Sequence, residues 1–388
     1  MLRDFEGFYV FKQSGGIILD SFVSLIFGQI LPFLLVITIV VFFHELGHFW
    51  VARRCGVRVD VFSIGFGRSL MQWQDKHGTH WKIGWLPLGG YVKFFGDNSE
   101  ASTPDKEMMA KVSDADKADI FHFKPLWQRA AVVAAGPFAN FILAILIFAG
   151  LFCFVGQRLS TPVIDKVSVG SAAEQAGMMP GDVILTIDGD EIESFNDVAR
   201  IVQVSPERDL TFLVDRGGAE VSLVATPKLY KQTDNFGNEF MVGRLGITSL
   251  NDPSRVSYVR YDPLTSLAKG VKETHFIITQ TFVSLGRIIA GRETADSLGG
   301  PIKIAQISGQ MASLGVIPIL NWIALISVSI GLINLFPIPV LDGGHLLFYA
   351  YEAVFRKPMP EKVQEYGMRI GLTLVIMLFI FVTFNDLT

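Results

Sequence analysis

His44 and His48 flank Glu45 in the run His44-Glu45-Leu46-Gly47-His48, which lies within an almost wholly apolar stretch from Phe22 to Val51. On a helix, residues spaced like His44 and His48 share one face, so both imidazoles can grip one zinc ion. The glutamate between them can act as general base on an attacking water. Two histidines and a carboxylate are expensive to hold in lipid, and ionisable groups there mark a pathway or a reaction centre. The chemistry expected is metal-assisted hydrolysis inside or at the edge of a membrane.

Zinc needs a third protein ligand and an open position. The same helix does not supply one at the usual spacing, because Val51 stands where a glycine would lead to a third histidine. Across the later apolar runs the outstanding carboxylate is Asp342, at the end of the third run. His345 is the rival ligand, or a partner that orients one. Pro337 and Pro339 precede Asp342. Two prolines unwind a helix, which membrane depth tolerates beside a cavity. Asn334 could then donate to a developing oxyanion or make an interhelical hydrogen bond. Asn140, shortly after Gly136-Pro137, is read first as a packing residue of the second span, with a role at the site as the alternative.

Hydropathy identifies the elements that must position these groups. The chain has 388 residues, is 50% hydrophobic and has a mean hydropathy of +0.41, which suits a polytopic membrane protein with some water-exposed mass. Four spans stand out, at 22–51, 130–154, 316–341 and 370–384. The last is short against the roughly 17–25 residues a span needs, and Tyr366 to Arg369 extend it by snorkelling. Arg53, Arg54 and Arg58 follow the first span, Lys124 and Arg129 precede the second, and Arg356 and Lys357 follow the third. That bias predicts cytoplasmic 53–129 and 350s segments, with the N-terminus, 156–315 and the C-terminus on the other side. The first and third spans then run the same way. His44 lies about 13 Å of helix before Arg53, and Asp342 about 15 Å before Glu352, so their depths match. A net charge of −4 without a basic block argues against a nucleic acid partner. Cys55 and Cys153 make no disulfide framework, and no cleavable signal peptide is expected.

Between the spans the pattern changes. Val57, Val59 and Val61 alternate with charged residues, Lys76 to Thr79 reads as a turn, and Gly84, Pro87, Gly89 and Gly90 break any helix. Short strands or a hairpin against the first span are expected over 57–96, and a charged loop over 97–119. Residues 160–250 read as a β-rich unit, with a helix from Ser194 or Asn196 as N-cap through Val202. Residues 264–289 suit an amphipathic helix, on the membrane surface or packed on the β-rich unit. The chain divides on this pattern into a first span with its N-terminal segment (1–56), a membrane-associated β region and loop (57–125), a second span (126–156), the β-rich unit (157–250), an extracytoplasmic amphipathic helix region (251–315), a third span (316–345) and a loop with the fourth span (346–388).

The sequences HELGH (44–48), PLGGYVKF (87–94), AAGPFANF (134–141), SLGGPI (297–302) and NLFPIPVLDGGH (334–345) together resemble the bacterial site-two protease family, of the RseP-like, single-PDZ type. The resemblance touches every span. It implies a polytopic α-helical membrane protein of about four transmembrane helices, with a membrane-associated β-sheet and an inserted extracytoplasmic PDZ-like domain. It implies zinc held by His44, His48 and Asp342, with Glu45 as base. It also implies strands over 57–96 that enter the membrane and pair with an unwound substrate, with Gly89, Gly90, Tyr91, Val92, Lys93 and Phe94 as the binding edge. The implied substrates are single-span proteins, such as anti-sigma factors and remnant signal peptides, trimmed first by a site-one protease, and the implied location is the bacterial inner membrane. A metal or proton transporter using the same cluster would show broken helices in two halves, and only the Pro337 region reads so. A noncatalytic PDZ scaffold would have no use for Glu45 or Asp342.

Overall fold

The computed structural model describes residues 25–97, 113–233, 239–249, 256–291 and 299–387. The first twenty residues and most of the charged 97–119 loop lie outside the described residues, as do Ser297 and Leu298 of the SLGGPI motif. The chain forms two units, one of residues 1–148, 270–278 and 298–388, the other of 149–269 and 279–297.

In the first unit, α1 (Ile26–Arg54) is, among the described residues, one of four helices long and apolar enough to cross a membrane. Its Val36 and Val40 are fully buried in a cluster with Ile323 and Ile326. Gly56, at φ +70°, ends the helix and turns the chain into β1 (Val59–Gln74) and β2 (His80–Phe94). The turn between the strands is built by Asp75, whose Oδ1 accepts from the His77 and Thr79 amides at 2.8 and 3.1 Å and whose Oδ2 pairs with Arg53. Burial opposes ionisation here, but these donors and the Trp81 indole prevail and hold the Asp75 carboxyl at about 2. The strands fold back on themselves. Residues 61–64 pair with 90–93 on one side and 80–83 on the other, while 71–74 pair with 80–83. Residues 90–93 therefore form an edge of this sheet. The expected packing against the first span is found: Phe62, Val92 and Phe94 share a buried cluster with Phe49 and Ala52 of α1.

α2 (Leu126–Val155) is the second span, with Pro137 inside it. The region expected as one extracytoplasmic helix segment, 251–315, instead contains two helices. Pro263–Ile289 starts at Asp262, whose carboxylate accepts from the Leu264 and Thr265 amides. α3 (Pro301–Ser313) belongs to the unit of apolar helices. Its thirteen residues are too short, and Lys303, Gln306 and Gln310 too polar, to stand out as a span. Its small residues explain its place: a Cβ on Gly309 would lie 1.9 Å from the Gly28 carbonyl oxygen, and Ser308 accepts from the Trp322 indole at 2.9 Å.

The third span is also corrected. α4 runs from Val316 to Asn334, not to 341, and a new helix, α5 (Asp342–Phe355), follows. Asp342 opens α5 instead of ending the span. The prolines at 337 and 339 lack the amide that would continue a helix. The intervening turn closes onto α5 so tightly that a Cβ on Gly343 would lie 2.3 Å from the Leu335 and Phe336 carbonyl oxygens. α6 (Glu361–Asn385) is the fourth span, longer than the 370–384 expected. Asp386 beyond it accepts from the Gly300, Ile302 and Lys303 amides and so caps α3.

The second unit is β-rich. Its main sheet orders Asp190–Glu191, Val183–Ile187, Leu210–Arg216 and Ala219–Ala225. Ile184, Ile187, Leu210, Phe212 and Val214 form the core. Of the two N-cap candidates the structure uses Ser194, which makes a capping box with Asp197 at the head of Phe195–Gln203.

Candidate metal centre

α1 places His44 and His48 one turn apart, facing α2 and the start of α5. His48 Nδ1 lies 2.8 Å from the Val132 carbonyl oxygen of α2. A carbonyl can only accept, so Nδ1 carries the proton and Nε2 keeps its lone pair. That Nε2 is 3.2 Å from His44 Nε2. Asp342 Oδ2 stands 3.2 Å from His44 Nε2 and 3.6 Å from His48 Nε2. It is buried with no hydrogen-bond partner, which a native fold rarely leaves unexplained. A tetrahedral zinc site with bonds of about 2.1 Å has ligand-to-ligand edges of about 3.4 Å. These three residues form a group whose ligand atoms lie close enough to share one ion. Their donor set, spacing and orphaned oxygen all fit zinc. The approach of α2 depends on Gly136, where a Cβ would lie 2.2 Å from His48 Nε2.

A cavity of about 520 Å³ opens beside this centre, lined among others by Glu45, Asn334 and His345. Of the expected binding edge, Gly90, Tyr91, Val92 and Phe94 line it. Gly89 and Lys93 do not. Gly89 is pressed against the Phe66 ring, and Lys93 falls between Val92 and Phe94, whose side chains are buried on the opposite face of the strand. Asn334 reaches the wall as the last residue of α4. His345 sits one turn after Asp342 with its ring against Phe348, outside the three-residue group. Burial keeps it below the ordinary histidine value, although the Asp342 carboxylate acts the other way. Tyr349, also on the wall, is pushed up to about 12 by burial, against the pull of Arg129.

For Asn140 the structure favours the alternative to simple packing, because it touches a candidate ligand. Asn140 is fully buried and its Nδ2 lies 3.3 Å from His44 Nδ1. Its backbone carbonyl also accepts from the Ser327 hydroxyl at 2.8 Å. The spacing held a signal: Asn140 follows Gly136 by one helical turn, so the two share the face that meets the histidines.

The model of peptidase family M50 matches residues 32–378. The chain belongs to that family, the site-two proteases. A chain of Agrobacterium fabrum that bears a zinc metalloprotease name is 46% identical over 361 residues, covering 93% of this chain and 96% of its own. A Rhizobium meliloti chain with a name of the same kind is 46% identical over 355 residues, covering 92% and 95%. The metalloprotease MmpA of Caulobacter vibrioides is 40% identical over 381 residues, covering 92% and 95%. This M50 chain is thus a membrane-embedded zinc metalloprotease, and the transporter and scaffold readings fall away.

Proposed function

We propose that this M50 protease cuts peptide bonds at membrane depth in single-span proteins, with zinc held by His44, His48 and Asp342. When bound, zinc supplies a Lewis acid that makes water nucleophilic near neutral pH and polarises a carbonyl. Glu45 takes the proton of the attacking water and passes it to the leaving nitrogen. Asn334, on the cavity wall, donates to the carbonyl oxygen as it turns anionic.

The observation that carries this reading is the position of the sheet edge. A Cβ on Gly90 would lie 3.1 Å from Glu45 Cγ, so the edge residues 90–93 pass directly beside the candidate base. A helical substrate hides its amides, and an extended one needs backbone partners wherever water is absent. Pairing along residues 90–93 supplies them and presents the scissile bond to Glu45.

The substrates of this reading are anti-sigma factors or remnant signal peptides, already trimmed by a site-one protease. The enzyme sits in the bacterial inner membrane with the zinc centre toward the cytoplasm and the PDZ-like unit periplasmic. The cluster of Arg53, Arg54 and Arg58 after α1 supports that orientation. The PDZ-like unit and helix Pro263–Ile289 act as a filter on substrates. The test is to replace the chain in its host by Glu45→Gln and compare membrane fragments by proteomics. Trimmed single-span stubs should accumulate; an unchanged fragment population contradicts the reading.

A further inference from the structure

His48 displays the arrangement a metal-binding imidazole needs here: Nδ1 donates to the Val132 carbonyl at 2.8 Å and Nε2 faces Asp342. His44 differs. The polar atom in contact with its Nδ1 is Asn140 Nδ2, a donor, at 3.3 Å. With that contact Nδ1 must accept, and a neutral His44 then carries its proton on Nε2. Nε2 is the atom 3.2 Å from both His48 Nε2 and Asp342 Oδ2, and a protonated nitrogen cannot bind metal. At the same place Asn140 Oδ1 is buried with no hydrogen-bond partner. Both faults have one remedy. Turning the carboxamide half a revolution about its Cβ–Cγ bond brings Oδ1 to His44 Nδ1. The oxygen gains a donor, the proton is fixed on Nδ1, and Nε2 is free to ligate. The backbone need not move, because the Ser327 hydroxyl holds the Asn140 carbonyl independently of the side chain.

We propose that Asn140 is a positioning residue of the zinc centre, whose Oδ1 accepts from His44 Nδ1–H and thereby sets the tautomer and ring orientation of that ligand. The inference deepens the proposed function and rests on His44 being a zinc ligand. It gives the two histidines matching supports from one helix, a backbone carbonyl for His48 and a side-chain carbonyl for His44, both from α2.

The test compares zinc affinity by chelator competition in purified full-length protein, for wild type, Asn140→Asp, Asn140→Leu and His44→Ala. Aspartate can accept but not donate, so Asn140→Asp should keep the affinity within about threefold. Leucine fills the space without accepting, and loss of such an orienting partner typically weakens metal binding about 10–100-fold. A residue that only packed would show the opposite order, since a buried carboxylate harms packing more than leucine does. Unchanged affinity in Asn140→Leu, or a tenfold loss in Asn140→Asp, overturns the proposal. Should Asn140→Leu fail to fold, the Asn140→Asp comparison with wild type decides by itself. The His44→Ala arm separates the two levels. Retained affinity there removes the ligand reading itself, whereas lost affinity beside unaffected Asn140 variants removes this inference alone.

Discussion

Gly90 of the sheet edge and Glu45 of the HELGH helix are in contact: a Cβ added to Gly90 would lie 3.1 Å from Glu45 Cγ and 2.7 Å from the Ser63 carbonyl oxygen behind it. An alanine methyl at this position would meet both, and the Val41 side chain at 3.2 Å as well. Gly90→Ala should therefore displace one of them while leaving all three candidate zinc ligands untouched. A misplacement of about 1 Å can cost on the order of 10²-fold in rate. Purified Gly90→Ala protein should bind zinc normally and cleave far more slowly. Cleavage near the wild-type rate would show that the contact does not matter.

The third ligand separates by metal analysis. Asp342→Ala should lose zinc as well as activity, because its Oδ2 is the oxygen 3.2 Å from His44 Nε2. His345→Ala should keep most of the metal, since His345 lies outside the three-residue group. Zinc lost from His345→Ala and kept by Asp342→Ala would reverse the assignment.

Strand pairing predicts an alternating response to proline across Gly90 to Lys93; the Phe94 and Phe95 amides are already engaged by the Asp97 carboxylate and the Arg58 carbonyl. Successive amides in a strand point to opposite sides. Proline at an inward amide breaks pairing with 61–64 and should lower the melting temperature. At an outward amide it removes a donor from the edge and should lower activity with stability and zinc retained. A uniform loss at every position indicates general misfolding, and no loss anywhere eliminates substrate pairing at this edge.

Removing residues 160–250 should leave zinc binding intact, because His44, His48 and Asp342 all belong to the other unit. Cleavage should continue, with poorer discrimination against untrimmed substrates. A deletion variant that folds and holds zinc yet cannot cut a trimmed substrate would refute the filter role.

The grouping of His44, His48 and Asp342 beside Glu45 as a candidate site was legible in the sequence because charge inside an apolar run has few structural uses, so each polar residue there was informative. The fold-back of the 57–96 strands was legible only as strands: which segment lies at the edge depends on register, and residues 61–64 pair on both sides. α3 was hidden because its packing face is made of small residues, which carry little hydropathy. The break after Asn334 was signalled by its prolines, but the new helix at Asp342 follows from the closeness of Gly343 to the Leu335 and Phe336 carbonyls, a tertiary fact. Asn140 was visible as a polar residue in an apolar helix, yet only the approach of α2 to α1 shows that it meets His44.

The central claim is that Glu45 moves the proton while its neighbours hold the metal. Glu45→Gln tests it most directly, with zinc content and cleavage of a reconstituted single-span substrate measured on one purified preparation. The amide cannot take a proton, and losing a general base typically costs about 10²–10⁴ in rate. The expected result is full zinc with cleavage reduced by at least that factor. Turnover near wild type with zinc bound would contradict the account.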